Sequence, residues 1–126
     1  MESKLSLIKA AIKKPPHLQK GEAAEEQAYQ YLKSAGLVLL ERNFSSRFGE
    51  IDLIMQDGDV LVFIEVRYRK NTKYGGAASS ISHKKQQRIH KTAATYLQKK
   101  GNNSPARFDV IAMQGDMQIN WIKSAF

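Results

Sequence analysis

Two carboxylates, Asp52 and Glu65, lie within segments that are otherwise rich in apolar residues. Residues 51–55 and 60–68 predict two strands, and the Asp-Gly-Asp sequence at residues 57–59 predicts a hairpin turn between them. If the first two of these turn residues form the loop, the carboxylates are diagonal neighbours; if the last two form it, they are directly opposed. In both registers the side chains share one face of the sheet, about 5 Å apart when opposed and roughly 7 to 8 Å apart when diagonal. Either register allows them to hold one cation that prefers oxygen ligands.

Carboxylates within such a strand pair need a neighbouring group that offsets their negative charge. The opposite face of these strands is apolar, so the pair is expected to be covered on both sides. A partly buried carboxylate without a partner is destabilising or takes up a proton. Arg67 and Arg69 follow Glu65 on the same face and offer one form of compensation, an internal salt-bridge network. A bound metal ion offers another, and the strand spacing alone leaves both open.

Helical periodicity predicts that three polar residues of the two helices face the strand pair. Around Ala28, the centre of one apolar stripe, Glu25 falls at the edge that faces the sheet. Around Ile89, the centre of a second stripe, Lys85 and Gln86 fall on the inner face, where a simple core would have aliphatic residues. Three carboxylates with nearby Lys, Arg and Gln meet the needs of phosphoryl chemistry with Mg²⁺ or Mn²⁺: oxygen ligands for the ion and donors for the phosphate.

A simple series of elements must position these side chains. The predicted elements, in chain order, are a helix from Gly21 to Gly36, strands at residues 37–40, 51–55 and 60–68, a helix between Ser82 and Gly101, and strands at residues 108–113 and 118–122. The first three strands are expected to be antiparallel, and residues 75–80 to form a loop. The order α-β-β-β-α-β-β predicts an α/β domain. Asp109 is assigned a structural role, paired with Arg107 or Arg47.

Size and composition agree with one small globular domain. The chain has 126 residues, which suffice for a single hydrophobic core, and no cysteine, which excludes disulfides, zinc fingers and thiolate chemistry. Residues 21–126 are predicted to form the domain. Residues 1–20 are predicted to be a basic arm, either a surface-binding amphipathic helix or a frayed terminus, in which Pro15 and Pro16 stop any helix. No segment predicts a membrane span or a signal peptide, so we expect a cytoplasmic protein.

The charge distribution favours a polyanionic partner. The net charge is +8, and between Val66 and Lys100 there are ten basic residues and no acidic one. Such a stretch after a carboxylate cluster indicates nucleic-acid backbone binding beside a metal site, although a solvated helix face is also lysine-rich. The candidate phosphate-binding residues are Arg69, Lys70, Lys73, Lys84, Arg88 and Lys91. Tyr68 and Tyr74 are either base-stacking residues or ordinary packing.

Several short motifs carry a resemblance to a known family. They are GEAAE at residues 21–25, GEIDLI at 49–54, VFIEVRYR at 62–69, KQ at 85–86, RFDV at 107–110 and WIK at 121–123. Over residues 21–126 the chain closely resembles the bacterial YraN family. The resemblance implies a restriction-endonuclease-like fold with a mixed central sheet flanked by helices, similar to archaeal Holliday-junction resolvases. It also implies that Glu25, Asp52 and Glu65 bind the metal ion.

One position departs from the nuclease pattern. The second residue after Glu65 is where those nucleases place a catalytic lysine, and here it is Arg67. Arginine stays protonated and cannot act as a general base, but it binds phosphate through two hydrogen bonds. The resulting hypothesis is a Mg²⁺- or Mn²⁺-dependent endonuclease-like protein, a possible homodimer, whose substrate is DNA, with branched DNA as one candidate. Its catalytic residues would be Glu25, Asp52, Glu65, Arg67, Lys85 and Gln86. The alternatives are a non-catalytic nucleic-acid binding module and an interaction protein that uses its basic arm.

Overall fold

The computed structural model describes residues 16–69, 81–101, 103–115 and 118–126. Its elements are α1 (Pro16–Ser34), β1 (Val38–Ser46), β2 (Gly49–Asp57), β3 (Val60–Arg69), α2 (His83–Lys100), β4 (Ala106–Gln114) and β5 (Gln118–Ile122). This order confirms the predicted α-β-β-β-α-β-β series. The predicted loop at residues 75–80, together with Lys70, Lys73 and Tyr74, lies outside the described residues.

Helix α1 begins at Pro16, five positions before the predicted start at Gly21. The prediction that Pro15 and Pro16 stop a helix concerns the preceding residues, which lie outside the described part of the chain, and it stays a prediction. Proline lacks a backbone N–H and has a fixed φ, which disrupts a helix interior but suits the first helical position. Among the described residues, neither helix has the length and apolar composition that crossing a bilayer requires.

The five strands form one mixed sheet in the order β1-β2-β3-β4-β5. The pairs β1–β2, β2–β3 and β4–β5 are antiparallel, whereas β3 and β4 are parallel. A parallel neighbour requires a crossover connection, and α2 lies in the segment between β3 and β4. The prediction that the first three strands are antiparallel is confirmed.

The two helices cover opposite faces of the sheet. Ala24, Ala28 and Leu32 of α1 pack in one apolar cluster with Leu53, Met55, Val62, Ile64, Ile111 and Met113. Ile89, Ala93 and Tyr96 of α2 pack in another with Phe44, Ile51, Ile54, Leu61 and Phe63. Because β2 and β3 are buried on both sides, their sequences are almost continuously apolar. This two-sided burial makes the carboxylates within them exceptional.

Asp109 is the centre of a buried hydrogen-bond network. Its fully buried carboxylate accepts hydrogen bonds from Arg107 Nε at 3.0 Å, Trp121 Nε1 at 2.9 Å and the Ser124 backbone N–H at 3.0 Å. Arg107 also binds Asp57 at 2.9 Å. The predicted structural pairing with Arg107 is confirmed, and the network ties β4 to β2 and to the segment after β5.

Candidate functional site

Strands β2 and β3 diverge where the two carboxylates lie. Their pairing runs from Asp57 and Val60 to Leu53 and Ile64. Nearer Gly49, β2 pairs with β1, and beyond Ile64, β3 pairs with β4. The hairpin turn therefore consists of residues 58–59, which is the predicted register that places Asp52 opposite Glu65. A gap opens between the strands at this position.

Strand β1 changes direction beside this gap. Arg42 stacks on Tyr29 of α1, whereas Phe44, two residues later, packs against Tyr96 of α2. In a regular strand such residues share a face, but the intervening Asn43 has a left-handed φ of 51°. The bend therefore turns the strand from one helix towards the other.

Strand β2 makes the same change at Asp52. Leu53 packs in the α1 cluster and Ile51 in the α2 cluster, so Asp52 lies at the switch between faces. Its Oδ2 accepts a hydrogen bond of 2.8 Å from the Val66 backbone N–H of β3. The Asp52 carboxylate thus accepts the Val66 N–H across the gap. If β2 and β3 were still paired here, a backbone carbonyl would be the acceptor.

Asp52 and Glu65 form one strongly interacting acidic pair. Glu65 is buried, with 5% of its surface exposed. Burial of Asp52 and the negative charge of Glu65 raise the pKa of Asp52 to about 8, although the Val66 N–H opposes that rise. The two side chains are hydrogen-bonded to each other. Asp52 therefore holds a proton at neutral pH.

Two cations lie beside Glu65. Lys85 Nζ is 2.7 Å from Glu65 Oε2, and Arg67 Nη1 is 3.8 Å from the same oxygen. Lys85 is positioned by the start of α2, because Ser82 caps the helix and its Oγ accepts the Lys85 backbone N–H at 3.1 Å. Part of the salt-bridge network predicted as the alternative to a metal site is therefore present.

Glu25 lies near this pair but is held separately. Its half-buried side chain hydrogen-bonds to Asn43, and its charge contributes to the raised pKa of Asp52. Burial also raises the pKa of Glu25. Within the described part of the chain, no three Asp, Glu or His side chains are grouped closely enough to hold a metal ion. The structure thus brings Asp52 and Glu65 together and leaves Glu25 within electrostatic reach.

The other predicted site residues divide by position. Gln86 Nε2 donates to the Ile81 carbonyl at 3.2 Å, so this side chain braces the segment that leads into α2. Lys84, Arg88 and Lys91 are exposed on α2. Arg69 is the last residue of β3, and its side chain lies outside the described part of the structure.

An open pocket of about 290 Å³ collects the acidic pair and the start of α2. It is lined by Phe48, Gly49, Glu50, Asp52, Glu65, Lys85, Arg88 and Ile89. Phe48 was not among the predicted site residues, because no strand was predicted over residues 41–50. An aromatic residue next to Arg47 and Gly49 was the available signal for a turn at a binding surface. The arrangement presents oxygen ligands and cations together at an accessible surface, as phosphate chemistry requires.

Comparison with known proteins gives a consistent set of relatives. The profile of the "Uncharacterised protein family UPF0102" matches residues 24–113. A UPF0102 protein of Pseudomonas fluorescens is 49% identical over 113 residues, covering 87% of this chain and 94% of the relative. A UPF0102 protein of Colwellia psychrerythraea is 46% identical over 124 residues, covering 94% and 96%. A third, of Janthinobacterium, is 53% identical over 105 residues, covering 83% and 85%.

Proposed function

Since the chain belongs to the UPF0102 family, the YraN family of the predicted resemblance, we propose that it is a metal-dependent endonuclease acting on DNA. The observation that carries this proposal is the pair of Asp52 and Glu65 in the gap between two diverging strands. If Asp52 and Glu65 were both ionised, they would carry more negative charge than their surroundings stabilise, which is why Asp52 retains a proton. A divalent cation bound at the pair would relieve that excess.

The donor set fits Mg²⁺ or Mn²⁺. Asp52 and Glu65 supply hard oxygen ligands, and Glu25 is the candidate for a third. When bound, such an ion polarises a phosphate oxygen and makes water a stronger nucleophile at neutral pH. Asp52 must lose its proton before it can bind a cation, so metal affinity should rise with pH.

The two neighbouring cations would act on the phosphate. Lys85 now neutralises Glu65, and a metal ion at Glu65 would free its ammonium to face the substrate. Arg67 lies close enough to share this task. Because its guanidinium stays protonated, Arg67 would stabilise negative charge in the transition state but would not take a proton from water.

The surface around the pocket suits a nucleic-acid backbone. Lys84 and Arg88 are exposed on α2, and Arg88 also lines the pocket. Phosphates bound along this helix would pass beside Asp52 and Glu65. DNA is thereby positioned by charge, and the acidic pair determines where a phosphodiester is cleaved.

A second candidate function is nucleic-acid binding without cleavage. The observation that favours it is the short contact between Lys85 and Glu65, which already compensates the buried carboxylate without a metal ion. Arg67 in the position of the nuclease lysine points the same way. The two functions share a binding surface and differ only in whether the acidic pair binds a metal ion.

The decisive experiment compares wild type with Glu65→Gln on linear, flapped, four-way and single-stranded DNA and on RNA, in Mg²⁺ or Mn²⁺. We expect metal-dependent cleavage of DNA by wild type and a loss of at least a hundredfold in Glu65→Gln, which keeps the side chain's shape but removes its charge. Asp59→Asn is the matched control, because Asp59 is an exposed acid in the hairpin turn. It should cleave like wild type.

Two other results would decide against this proposal. Binding in both proteins without cleavage in either metal would identify the binding module instead. Cleavage that persists in Glu65→Gln would show that the acidic pair is not the catalytic centre.

Glu25→Gln tests the third ligand separately, with the exposed neighbour Glu26→Gln as its control. Loss of activity only in Glu25→Gln would place Glu25 in the site.

A further inference from the structure

Phe48 lies in the turn between β1 and β2 and lines the same pocket as Asp52 and Glu65. Its ring is half-buried, in contrast with Phe44, which is 6% exposed and packs edge-on against Tyr96 in the core. Four residues apart, these phenylalanines therefore have different surroundings. Phe44 belongs to the core, and Phe48 stands at the rim of an accessible acidic pocket.

The turn that carries Phe48 is fixed to α2. The Phe48 backbone N–H donates to Ser46 Oγ at 3.0 Å, and Ser46 Oγ hydrogen-bonds in turn to Thr92 Oγ1 at 3.0 Å. Thr92 is fully buried in α2 and also donates to the Arg88 carbonyl at 2.9 Å. Such a turn holds the ring in place before any ligand binds, which lowers the entropic cost of binding.

Two exposed cations lie over the ring, and a base that stacks on the ring takes the place of a cation on that face. The guanidinium carbon of Arg47 is 4.9 Å from the ring centroid of Phe48, and Lys91 Nζ is 5.5 Å from it. An aromatic face next to cations is the combination that binds single-stranded nucleic acid: the ring stacks on a base while the cations contact the adjoining phosphates. In an intact duplex the bases already stack on each other and offer no free face to the ring.

We propose that Phe48 stacks on an unpaired DNA base beside the phosphate that enters the Asp52–Glu65 pocket. The inference rests on the proposed function and adds the substrate class: DNA with an unpaired nucleotide at the site, as at a branch, flap or single-stranded end. Arg47 and Lys91 bind the flanking phosphates. Phe48 is thus a specificity residue, separate from the acidic pair.

The experiment measures binding in metal-free buffer containing EDTA, so that cleavage does not enter the result. Fluorescence anisotropy compares a single-stranded oligonucleotide with one of equal length and charge in which consecutive bases are replaced by abasic sites. Wild type should bind the intact strand more tightly by about five- to thirtyfold, the lower part of the range for base stacking, because the ring is half-buried. Phe48→Leu should lose most of this preference, and Phe48→Trp should keep it.

The matched control is Tyr31→Leu. Tyr31 is an aromatic residue that is 41% exposed, but it lies on α1 and packs edge-on against Trp121 on the other side of the sheet. It should retain the wild-type preference. In Phe48→Trp, the intact strand should quench the additional tryptophan fluorescence more than the abasic strand does, which reports stacking directly. Circular dichroism would confirm that each variant is folded.

Each adverse outcome has a distinct meaning. Equal affinity of wild type for intact and abasic strands would overturn the stacking inference while leaving the endonuclease proposal in place. An unchanged preference in Phe48→Leu would also overturn it. If wild type bound neither oligonucleotide, both the inference and the DNA-binding part of the proposed function would fail. Absence of cleavage in the separate metal experiment would not affect this test.

Discussion

At Glu65 three neighbouring groups offset a single buried negative charge. Lys85 lies 2.7 Å away, Arg67 lies 3.8 Å away, and Asp52 retains a proton and hydrogen-bonds to Glu65. Each is a substitute for the positive charge of a divalent ion. The metal-free site therefore remains folded, but its stability should depend on the proton at Asp52.

This dependence predicts the effect of Asp52→Asn. A carboxyl whose pKa is raised in the folded state binds its proton more tightly there than in the unfolded chain. The associated stabilisation is complete below the ordinary pKa of 3.8 and is lost progressively as the pH rises from that value to about 8. Wild type should therefore lose thermal stability between about pH 5 and pH 8 relative to Asp52→Asn, because the amide cannot ionise and retains an oxygen that can accept the Val66 N–H.

Thermal melting in EDTA at several pH values measures this difference. The exposed Asp59→Asn is the control and should follow the wild-type curve. Parallel curves for wild type and Asp52→Asn would show that Asp52 is ionised throughout and that its pKa is not raised. With Mg²⁺ added, the wild-type loss at high pH should shrink, because the ion replaces the proton.

At the scale of the elements, α2 has a defined structure at each of its two ends. Ser82 caps its start, and Gly101 ends it with a left-handed φ of 61°, donating its N–H to the Gln98 carbonyl. A side chain at this φ is strained, whereas a glycine within a helix lacks the stabilisation that alanine provides. Gly101 and the helical Gly21 therefore form a matched pair.

The same substitution at these two glycines should have opposite effects. Gly101→Ala should lower the free energy of unfolding by about 1 to 2 kcal/mol through left-handed strain. Gly21→Ala should raise it by about 0.5 to 1 kcal/mol, because an added Cβ at Gly21 meets no atom within 4 Å. Urea denaturation of both variants measures the two changes. A destabilised Gly21→Ala would contradict the assignment of residue 21 to the interior of α1.

The fold was predictable from sequence where one local rule governs the structure. Alternation and the turn residues predicted β2, β3 and their shared face, and apolar stripes predicted both helices. Strand β1 extends to Ser46, well beyond the predicted end at residue 40. Its later residues are largely polar and partly exposed, so no apolar alternation marks them.

The candidate site was only partly predictable for the same reason. Asp52 and Glu65 were found because hairpin parity places them on one face. The bend at Asn43, the separation of β2 from β3 and the position of Phe48 depend on contacts between distant elements. The hydrogen bond from Ser46 to Thr92, 46 residues later, fixes the Phe48 turn, and no local pattern specifies it.

At the scale of the whole molecule, the cations of the described residues lie on both faces of the sheet, and the acidic pocket lies on the α2 side. Arg88 and Lys91 project from α2 on the pocket side of the sheet. Lys33 belongs to α1 on the other face, and Lys123 lies over the Trp121 ring. If net charge alone drives DNA binding, any two of these cations are equivalent; if the α2 surface is the binding site, they are not.

Salt dependence separates these two cases. Each phosphate contact contributes roughly 0.9 to the slope of log affinity against log salt concentration on duplex DNA. The double variant Arg88→Gln/Lys91→Gln should therefore reduce that slope by roughly 2, and Lys33→Gln/Lys123→Gln should leave it close to wild type. Both variants lose the same net charge; the α2 variant loses one lysine that lies near an aromatic ring, and the control variant loses two. Equal reductions in both would show that DNA is attracted by overall charge and does not occupy the α2 surface. A reduction confined to the α2 variant would place the phosphate backbone along the helix that also presents Lys85 to the acidic pair.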